Sequence, residues 1–406
     1  MTVRILTGDC RDVLRALEPE SVHCVVTSPP YWGLRDYGVA GQIGLEATPQ
    51  EWVDSLVAVF RELRRVLRSD GVLWLNIGDS YADGGRGKDT GSTLEGTRDN
   101  QRESRKTNVR EMYKGLRPKN LAGMPWRLAF ALQDDGWYLR QDIIWSKPNP
   151  MPESVTDRCT KAHEYIFLLA KSESYFFDAE AIKEKASINT HSRGGGINPK
   201  AKRAGQHSRM REDRDPRHLI RPRSKQNASF SGAVHDVVTH RNKRSVWTFA
   251  TSPFRAAHFA TFPPALPRIC IMAGTSAHGS CGICGRPFRR IVETYDTGLR
   301  QKMADGWDSG AGAHGAIHRE GREAGESGQP VISTRTIGWE REHCRLFSSD
   351  TKPCVVLDPF CGAATTGLVA AQLGRTFIGI ELKPDYCEIA TQRLAQEMPA
   401  PAGRAS

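Results

Sequence analysis

The sequence predicts a doubly wound α/β domain on three grounds. Short apolar runs of strand length alternate with segments of helical periodicity. The strands are continuously apolar, and small or polar turns follow their C-terminal ends. In order, Met1 to Leu6 leads straight into a strand, and Val22-His23-Cys24-Val25-Val26 is a second that ends in Thr27-Ser28-Pro29-Pro30-Tyr31-Trp32. Thr48-Pro49-Gln50-Glu51 is a capping-box pattern with proline at the first helical position; Trp52, Leu56, Val59, Phe60, Leu63, Val66 and Leu67 follow on one helical face. Gly71 is expected to end that helix before the strand Val72 to Ile77. A helix around Trp126 to Leu132 leads through Gly136 to a strand from Trp137 to Trp145, and Tyr165 to Leu169 completes this block. A last block reads as a strand from Cys354 to Leu357, a small-residue turn, a helix through Leu368, Ala371 and Leu373, and a strand Phe377 to Ile380 ending in Glu381.

Two turns carry chemistry. Proline fixes its own φ and extends the residue before it, so Ser28-Pro29-Pro30 is held open with no N–H at its prolines. Acceptors and a ring remain: Ser28 Oγ and the Pro29 carbonyl can grip one amino group, and Tyr31 offers a face to a flat base. Such acceptors favour a pyramidal nitrogen with its lone pair localised, which stabilises the transition state for attack by a poorly nucleophilic amine. A strand-to-turn junction with a packed tyrosine is the other reading of Pro-Pro-Tyr; the position at a strand's C-terminal end favours a ligand. The second turn, Asp358-Pro359-Phe360-Cys361-Gly362-Ala363-Ala364-Thr365-Thr366-Gly367, precedes an acid, Glu381, by about twenty residues, the spacing at which a carboxylate meets the ribose of a nucleoside cofactor.

With these residues in place the chain resembles the S-adenosylmethionine-dependent amino-group DNA methyltransferases, in the permuted β class that puts the catalytic loop before the cofactor loop. The resemblance covers most of 1–185 and 246–397. It implies a Rossmann-like sheet, with Ser28, Pro29, Pro30 and Tyr31 catalytic and Asp358, Pro359, Phe360, Gly362 and Thr365 on the cofactor. Glu381 falls on the ribose-binding acid and Asp9 on the acid that meets adenine. His258 to Pro264 resembles the remaining cofactor-side motif. One departure is Ala364, where the family has a second glycine: its methyl is expected to crowd the cofactor or restrict φ. The implied reaction is base flipping, with Tyr31 and Trp32 stacking on the extruded base and S-adenosylmethionine supplying the methyl. Serine at the first loop position accompanies N4 of cytosine more often than N6 of adenine, so cytosine is favoured. An RNA or protein-amide methyltransferase, or a DNA-binding module that has lost catalysis, are the readings from other classes. The resemblance also implies a homodimer and a companion restriction nuclease.

Composition agrees. With 406 residues and 39% hydrophobic content the chain can bury a sizeable core, and no apolar run approaches the roughly 18 residues of a membrane span. Without a charged-then-apolar leader a cytoplasmic protein is expected. Ten cysteines in a chain this long do not make a disulfide scaffold.

The expected organisation is 1–185 as the catalytic half, with a mobile loop over 79–119; 186–245 as a basic insertion for target recognition; 246–277 and 351–397 as the cofactor half; 278–350 as a second insertion; and 398–406 as a tail. Between His191 and Gln226, eleven Lys or Arg face three acids, a balance of +8 against +11 for the whole chain. A basic block inside a chain favours phosphate contact, which puts double-stranded DNA against Arg217, Arg221, Arg223 and Lys225. In the second insertion Cys281-Gly282-Ile283-Cys284 is a knuckle suited to one tetrahedral zinc, with Cys344 as third ligand and His343 or Cys354 as fourth; reduced, metal-free cysteines are the alternative. Replacing Arg221, Arg223 and Lys225 together by Ala is expected to weaken DNA binding and to flatten the dependence of log K on log salt by about three contacts, as read from binding at several ionic strengths.

Overall fold

A computed structural model of the chain describes residues 2–34, 36, 38–39, 41–82, 116–186, 191–193, 234–252, 262–301, 329–341 and 350–397. These fall into two compact units, one from 1–182, 244–289 and 339–406, the other from 183–243 and 290–338.

The first unit is built on an eight-stranded sheet. Its strands are β1 (Val3–Thr7), β2 (Val22–Thr27), β3 (Leu67–Ile77), β4 (Tyr138–Ser146), β5 (His163–Ala170), β6 (Val246–Thr248), β7 (Val355–Asp358) and β8 (Thr376–Glu381), in the spatial order β1-β8-β7-β2-β3-β5-β4-β6. Every pairing is parallel except those of β5, which runs against both β3 and β4. The sheet is therefore mixed at one strand. Helices α1 (Cys10–Arg15), α2 (Pro49–Val66) and α3 (Met124–Asp134) pack into one apolar cluster. Helices α4 (Ala265–Gly274), α5 (Thr365–Gln372) and α6 (Pro384–Glu397) pack into another. Alternate strand residues divide between the two: Val25, Leu73 and Leu75 join the first, Cys24, Val26, Val72 and Trp74 the second. That division is the doubly wound arrangement, because a parallel strand must be covered on both faces.

Helix α2 forms as its sequence dictates. Thr48 accepts from the Glu51 N–H at 3.2 Å, Glu51 accepts from the Thr48 N–H at 3.2 Å, and Trp52, Leu56, Phe60 and Leu63 are fully buried. Burial of each such side chain stabilises the fold by about 1.5–3 kcal/mol. Its end differs from expectation. The helix stops at Val66 and β3 starts at Leu67, so Gly71 lies within the strand. A Cβ there would sit 2.7 Å from the Leu67 side chain and 3.0 Å from the His23 carbonyl. Gly71 thus permits a close approach of β3 to β2, and the register shift between Val22 and Cys24 falls beside it.

His23 is 6% exposed and ties three segments together. Its Nδ1 accepts from the Val355 N–H at 3.0 Å and its Nε2 lies 2.9 Å from the Gly285 carbonyl. This makes it a neutral Nε2–H tautomer bridging β2, β7 and the turn after Cys284.

The second unit contains a four-stranded sheet in the order 289–301, 329–340, 234–238, 191–193, and a two-stranded ribbon of 184–185 with 240–241. Segments that the sequence separates as 186–245 and 278–350 thus contribute strands to one sheet. Among the described residues no helix is long and apolar enough to cross a membrane.

Burial pushes the His23 imidazole down to about 4. Between that value and the unfolded value of about 6.5, the unfolded chain binds a proton that the native state refuses, so stability is lost as pH falls through this window. Denaturant midpoints of the wild type are expected to drop between pH 6.5 and 4, and the His23→Gln variant, though less stable at pH 7, should show a shallower drop.

Candidate functional site

Parallel pairing of β2 with β7, with Val25 opposite Leu357, brings the C-terminal ends of two strands side by side although more than three hundred residues separate them. The loop beginning at Ser28 and the loop beginning at Pro359 therefore emerge together. The buried carboxylate of Asp358 joins them: Thr27 Oγ1 donates to Oδ1 at 2.7 Å, the Phe360 N–H donates to the same oxygen at 3.1 Å, and Thr366 Oγ1 donates to Oδ2 at 2.8 Å. Thr27 immediately precedes Ser28, so this carboxylate sets the distance between the two loops.

In the first loop Pro29 is buried and Ser28 and Pro30 are half-buried. The Trp52 indole donates to the Pro30 carbonyl at 3.0 Å, and Gly33 N–H donates to the Gly44 carbonyl at 2.8 Å, so α2 and the Gly44 turn hold the loop from behind. Ser28 Oγ donates to Tyr31 Oη at 3.3 Å, and Tyr31 Oη donates to Glu164 Oε2 at 2.8 Å. A small cavity lies beside the Tyr31 ring, bounded by Leu34, Gly78, Asp79, Ser80 and Met124. Trp32 also lines this cavity, but little of its ring is accessible. It is 2% exposed within the α1–α3 cluster and its indole donates to the Glu46 carbonyl at 2.9 Å, so the ring is held between the core and the cavity wall.

In the second loop Gly362 alone among residues 361–366 is more than marginally accessible, at φ +49°, and a Cβ there would meet nothing within 4 Å. Its N–H donates to Glu381 Oε2 at 2.9 Å and the Lys383 N–H donates to Oε1 at 3.0 Å, leaving each oxygen further lone pairs. Burial holds the Glu381 carboxyl above its usual range. Asp9 caps α1 and is paired with Arg11 at 2.5 Å, which keeps its carboxyl below the usual range; the neighbouring Gly8 N–H donates to the Glu381 carbonyl at 2.9 Å. Thr365 is 4% exposed and its hydroxyl accepts from Arg393 at 2.9 Å, while Pro359 is buried and Phe360 half-buried.

Ala364 answers the question its methyl raises. The residue is left-handed at φ +54°, and its side chain is fully buried in the α4–α6 cluster with Leu368, Val369 and Phe377. The methyl packs into the core and not toward the open side of the loop. The cost is backbone strain of about 1–2 kcal/mol, the penalty of that conformation for any residue but glycine.

Several residues in the site have no counterpart in the sequence reading. Arg393 of α6, 8% exposed, donates to the Ala363 carbonyl at 3.0 Å and supports the second loop from behind. Glu164, Asn76 and Lys147 converge behind Tyr31. Asn76, a buried polar residue in an otherwise apolar strand, was the available signal.

Cys281 and Cys284 form a tight knuckle, with Cys281 N–H donating to the Arg286 carbonyl at 2.9 Å and its carbonyl accepting from Gly285 N–H at 2.9 Å. Cys354 is buried at the entry to β7 with Sγ toward the Ser276 carbonyl, and burial pushes its thiol up to about 11. His343 and Cys344 lie outside the described residues, as do Arg217, Arg221, Arg223, Lys225, most of 79–119 and most of 258–264. Among the described residues no three His, Cys, Asp or Glu side chains gather as a metal group.

Comparison with known proteins shows the family. The family model described as DNA methylase, of the N6 and N4 amino-methyltransferases, matches residues 22–281 and 346–392, and the chain belongs to that family. The Type II methyltransferase M.XycI of Xanthomonas campestris pv. cyanopsidis is 38% identical over 391 residues, covering 96% of this chain and 87% of that protein. M.SmaI of Serratia marcescens is 36% identical over 392 residues, covering 96% and 90%. M.Cfr9I of Citrobacter freundii is 36% identical over 394 residues, covering 97% and 88%.

Burial pushes the Asp358 carboxyl up to about 6, against the opposing pull of its three donors. Between the unfolded value of about 4 and this one, the native state holds a proton that the unfolded chain has released, so this group's contribution to stability falls as pH rises from 4 to 6. Asp358→Asn removes that titration. Its stability relative to wild type is expected to rise by on the order of 2 kcal/mol across this window in urea unfolding, opposite in sign to the effect of His23.

Proposed function

We propose that this chain transfers a methyl group from S-adenosylmethionine to the exocyclic amino group of a base flipped out of duplex DNA, with N4 of cytosine the target and N6 of adenine the second reading. The observation that carries the proposal is the Asp358 bridge, which binds an acceptor-bearing loop to a loop that fits a nucleoside cofactor. The fit rests on the open backbone at Gly362 beside the Glu381 carboxylate: Glu381 would take the ribose hydroxyls, Asp9 would lie toward the adenine, and Phe360 to Thr365 would cradle the remainder. When bound, the cofactor supplies an activated methyl on a sulfonium leaving group.

The chain's own residues do the positioning. Among the described residues no donor is directed at the Pro29 carbonyl, so it and Ser28 Oγ are free to accept the two amino protons and localise the lone pair on nitrogen. The Tyr31 ring, seated against Gly78, would carry the base on its open face. This route needs no metal. Support for cytosine is the serine at position 28, which supplies one neutral acceptor and accompanies cytosine in the resembling family.

The Type II relatives support a place in a restriction-modification system, and hence a companion nuclease and a cytoplasmic setting. The basic stretch around Arg217, Arg221, Arg223 and Lys225 is proposed as a DNA-contacting surface. The knuckle of Cys281 and Cys284 is proposed as half of a structural zinc site.

DNA from cells expressing the protein, digested to nucleosides and weighed, is expected to contain N4-methyldeoxycytidine. N6-methyldeoxyadenosine in its place would transfer the target to adenine, and neither would overturn the proposal. Ser28→Ala should lower single-turnover methylation about a hundredfold with cofactor affinity held within about twofold.

A further inference from the structure

We infer that Glu164 fixes the direction of the hydrogen bonds running through Tyr31 to Ser28, and thereby makes the catalytic loop selective for an amino group over a carbonyl oxygen. The inference rests on the reading of Ser28 given above and names what enforces it.

A serine hydroxyl in isolation has no preference, since it can rotate to donate or to accept. Here the direction is set two residues back along a chain of bonds. Glu164 lies on β5 with both oxygens occupied: Lys147 Nζ donates to Oε1 at 2.5 Å, and Asn76 Nδ2 donates to Oε2 at 3.1 Å. Lys147 and Glu164 retain 19% and 17% of their side-chain exposure, so the pair is largely shielded from water. The Asn76 amide is itself fixed in orientation, because Nδ2 also donates to the Tyr165 carbonyl at 3.1 Å and the residue is 2% exposed. An amide nitrogen facing two acceptors leaves Glu164 Oε2 as an acceptor.

The phenol therefore has one arrangement. Tyr31 has a single hydroxyl hydrogen and gives it to Glu164 at 2.8 Å; its oxygen is left to accept, and Ser28 Oγ, 3.3 Å away, supplies the hydrogen. Burial and the Glu164 carboxylate hold the phenol well above its ordinary titration range, so it keeps the hydrogen this arrangement needs. The ring has little freedom to leave, since a Cβ at Gly78 would lie 2.8 Å from its Cε2.

Ser28 has then spent its hydrogen and has only lone pairs left for an incoming group. An exocyclic amino group, a donor, meets two acceptors in Ser28 and Pro29. The carbonyl oxygen that replaces it in a deaminated base meets lone pairs against lone pairs. Sites that strand a polar group discriminate far more strongly than sites that merely lose a contact.

The test uses the full-length protein and a duplex carrying the site mapped by methylating plasmid DNA with the wild type. Affinity is measured for that duplex and for one bearing the deaminated target base: uracil for cytosine, or hypoxanthine for adenine. Taking the ratio for each protein cancels the mismatch the deaminated base introduces. Tyr31→Phe keeps the ring and removes the acceptor, freeing the Ser28 hydrogen; it is expected to reduce the preference for the amino-bearing duplex about tenfold. Glu164→Gln, which sets an amide against either Lys147 or Asn76, is expected to do the same. Both should leave cofactor affinity within about twofold. Unchanged preference in either variant that retains the wild-type unfolding midpoint would overturn the inference. Undiminished turnover in Ser28→Ala would instead overturn the reading of the loop. Loss of turnover in Ser28→Ala with preference intact in Tyr31→Phe and Glu164→Gln would overturn this inference alone.

Discussion

The buried carboxylate of Asp358 is the contact on which the site depends. It has three donors from three places: the last residue of β2, the backbone of the loop it begins, and the first turn of α5. A charge placed in a low-dielectric interior is stable only while such donors are kept in position. The cost of burying it is thus also a constraint on geometry, because any arrangement that separates the two loops leaves the carboxylate without partners. The glycines and prolines of both loops supply shapes; this carboxylate supplies the spacing between them.

The supporting contacts repeat that logic at the periphery. Arg393 fixes the far side of the loop after β7 through the Ala363 carbonyl and the Thr365 hydroxyl, and the Trp52 indole fixes the loop after β2 through the Pro30 carbonyl. Each is a long side chain reaching from a helix to a backbone carbonyl in a loop that has no ladder of its own. Such donors satisfy buried carbonyls and remove loop freedom at once. Ala364 shows that the frame tolerates local strain: a left-handed alanine persists where its methyl completes the apolar packing around α5.

Much of this was legible in the sequence. Apolar runs and caps located the strands and α2, and the two loops could be read because proline and glycine restrict or release the backbone in ways independent of context. What could not be read was which atoms those loops touch. Asp358 and Thr365 stand in a motif that announces a ligand, yet both direct side-chain atoms inward to Thr27, Thr366 and Arg393. Trp32 is similarly ambiguous, since an aromatic residue after a proline pair suits either a ligand or a core, and here the ring packs in the core while lining the cavity beside Tyr31. The antiparallel course of β5 was hidden because a strand buried on both faces has the same composition in either direction. Gly71 reads in the sequence as a helix stop, whereas in the fold it lets β3 approach His23.

The position of β7 and β8 in the sheet has a consequence for biosynthesis. Among the described residues they are the last strands, and they lie between β1 and β2, the first two. On the ribosome, β1 and β2 must therefore wait with unpaired edges while the intervening chain is made, and the sheet closes by insertion at its middle instead of growth at its margin. Pairings of such large sequence separation form slowly. A nascent chain halted anywhere before residue 355 would carry the loop at Ser28 without the carboxylate that places it, so the spacing of the two loops is set only once β7 has been made.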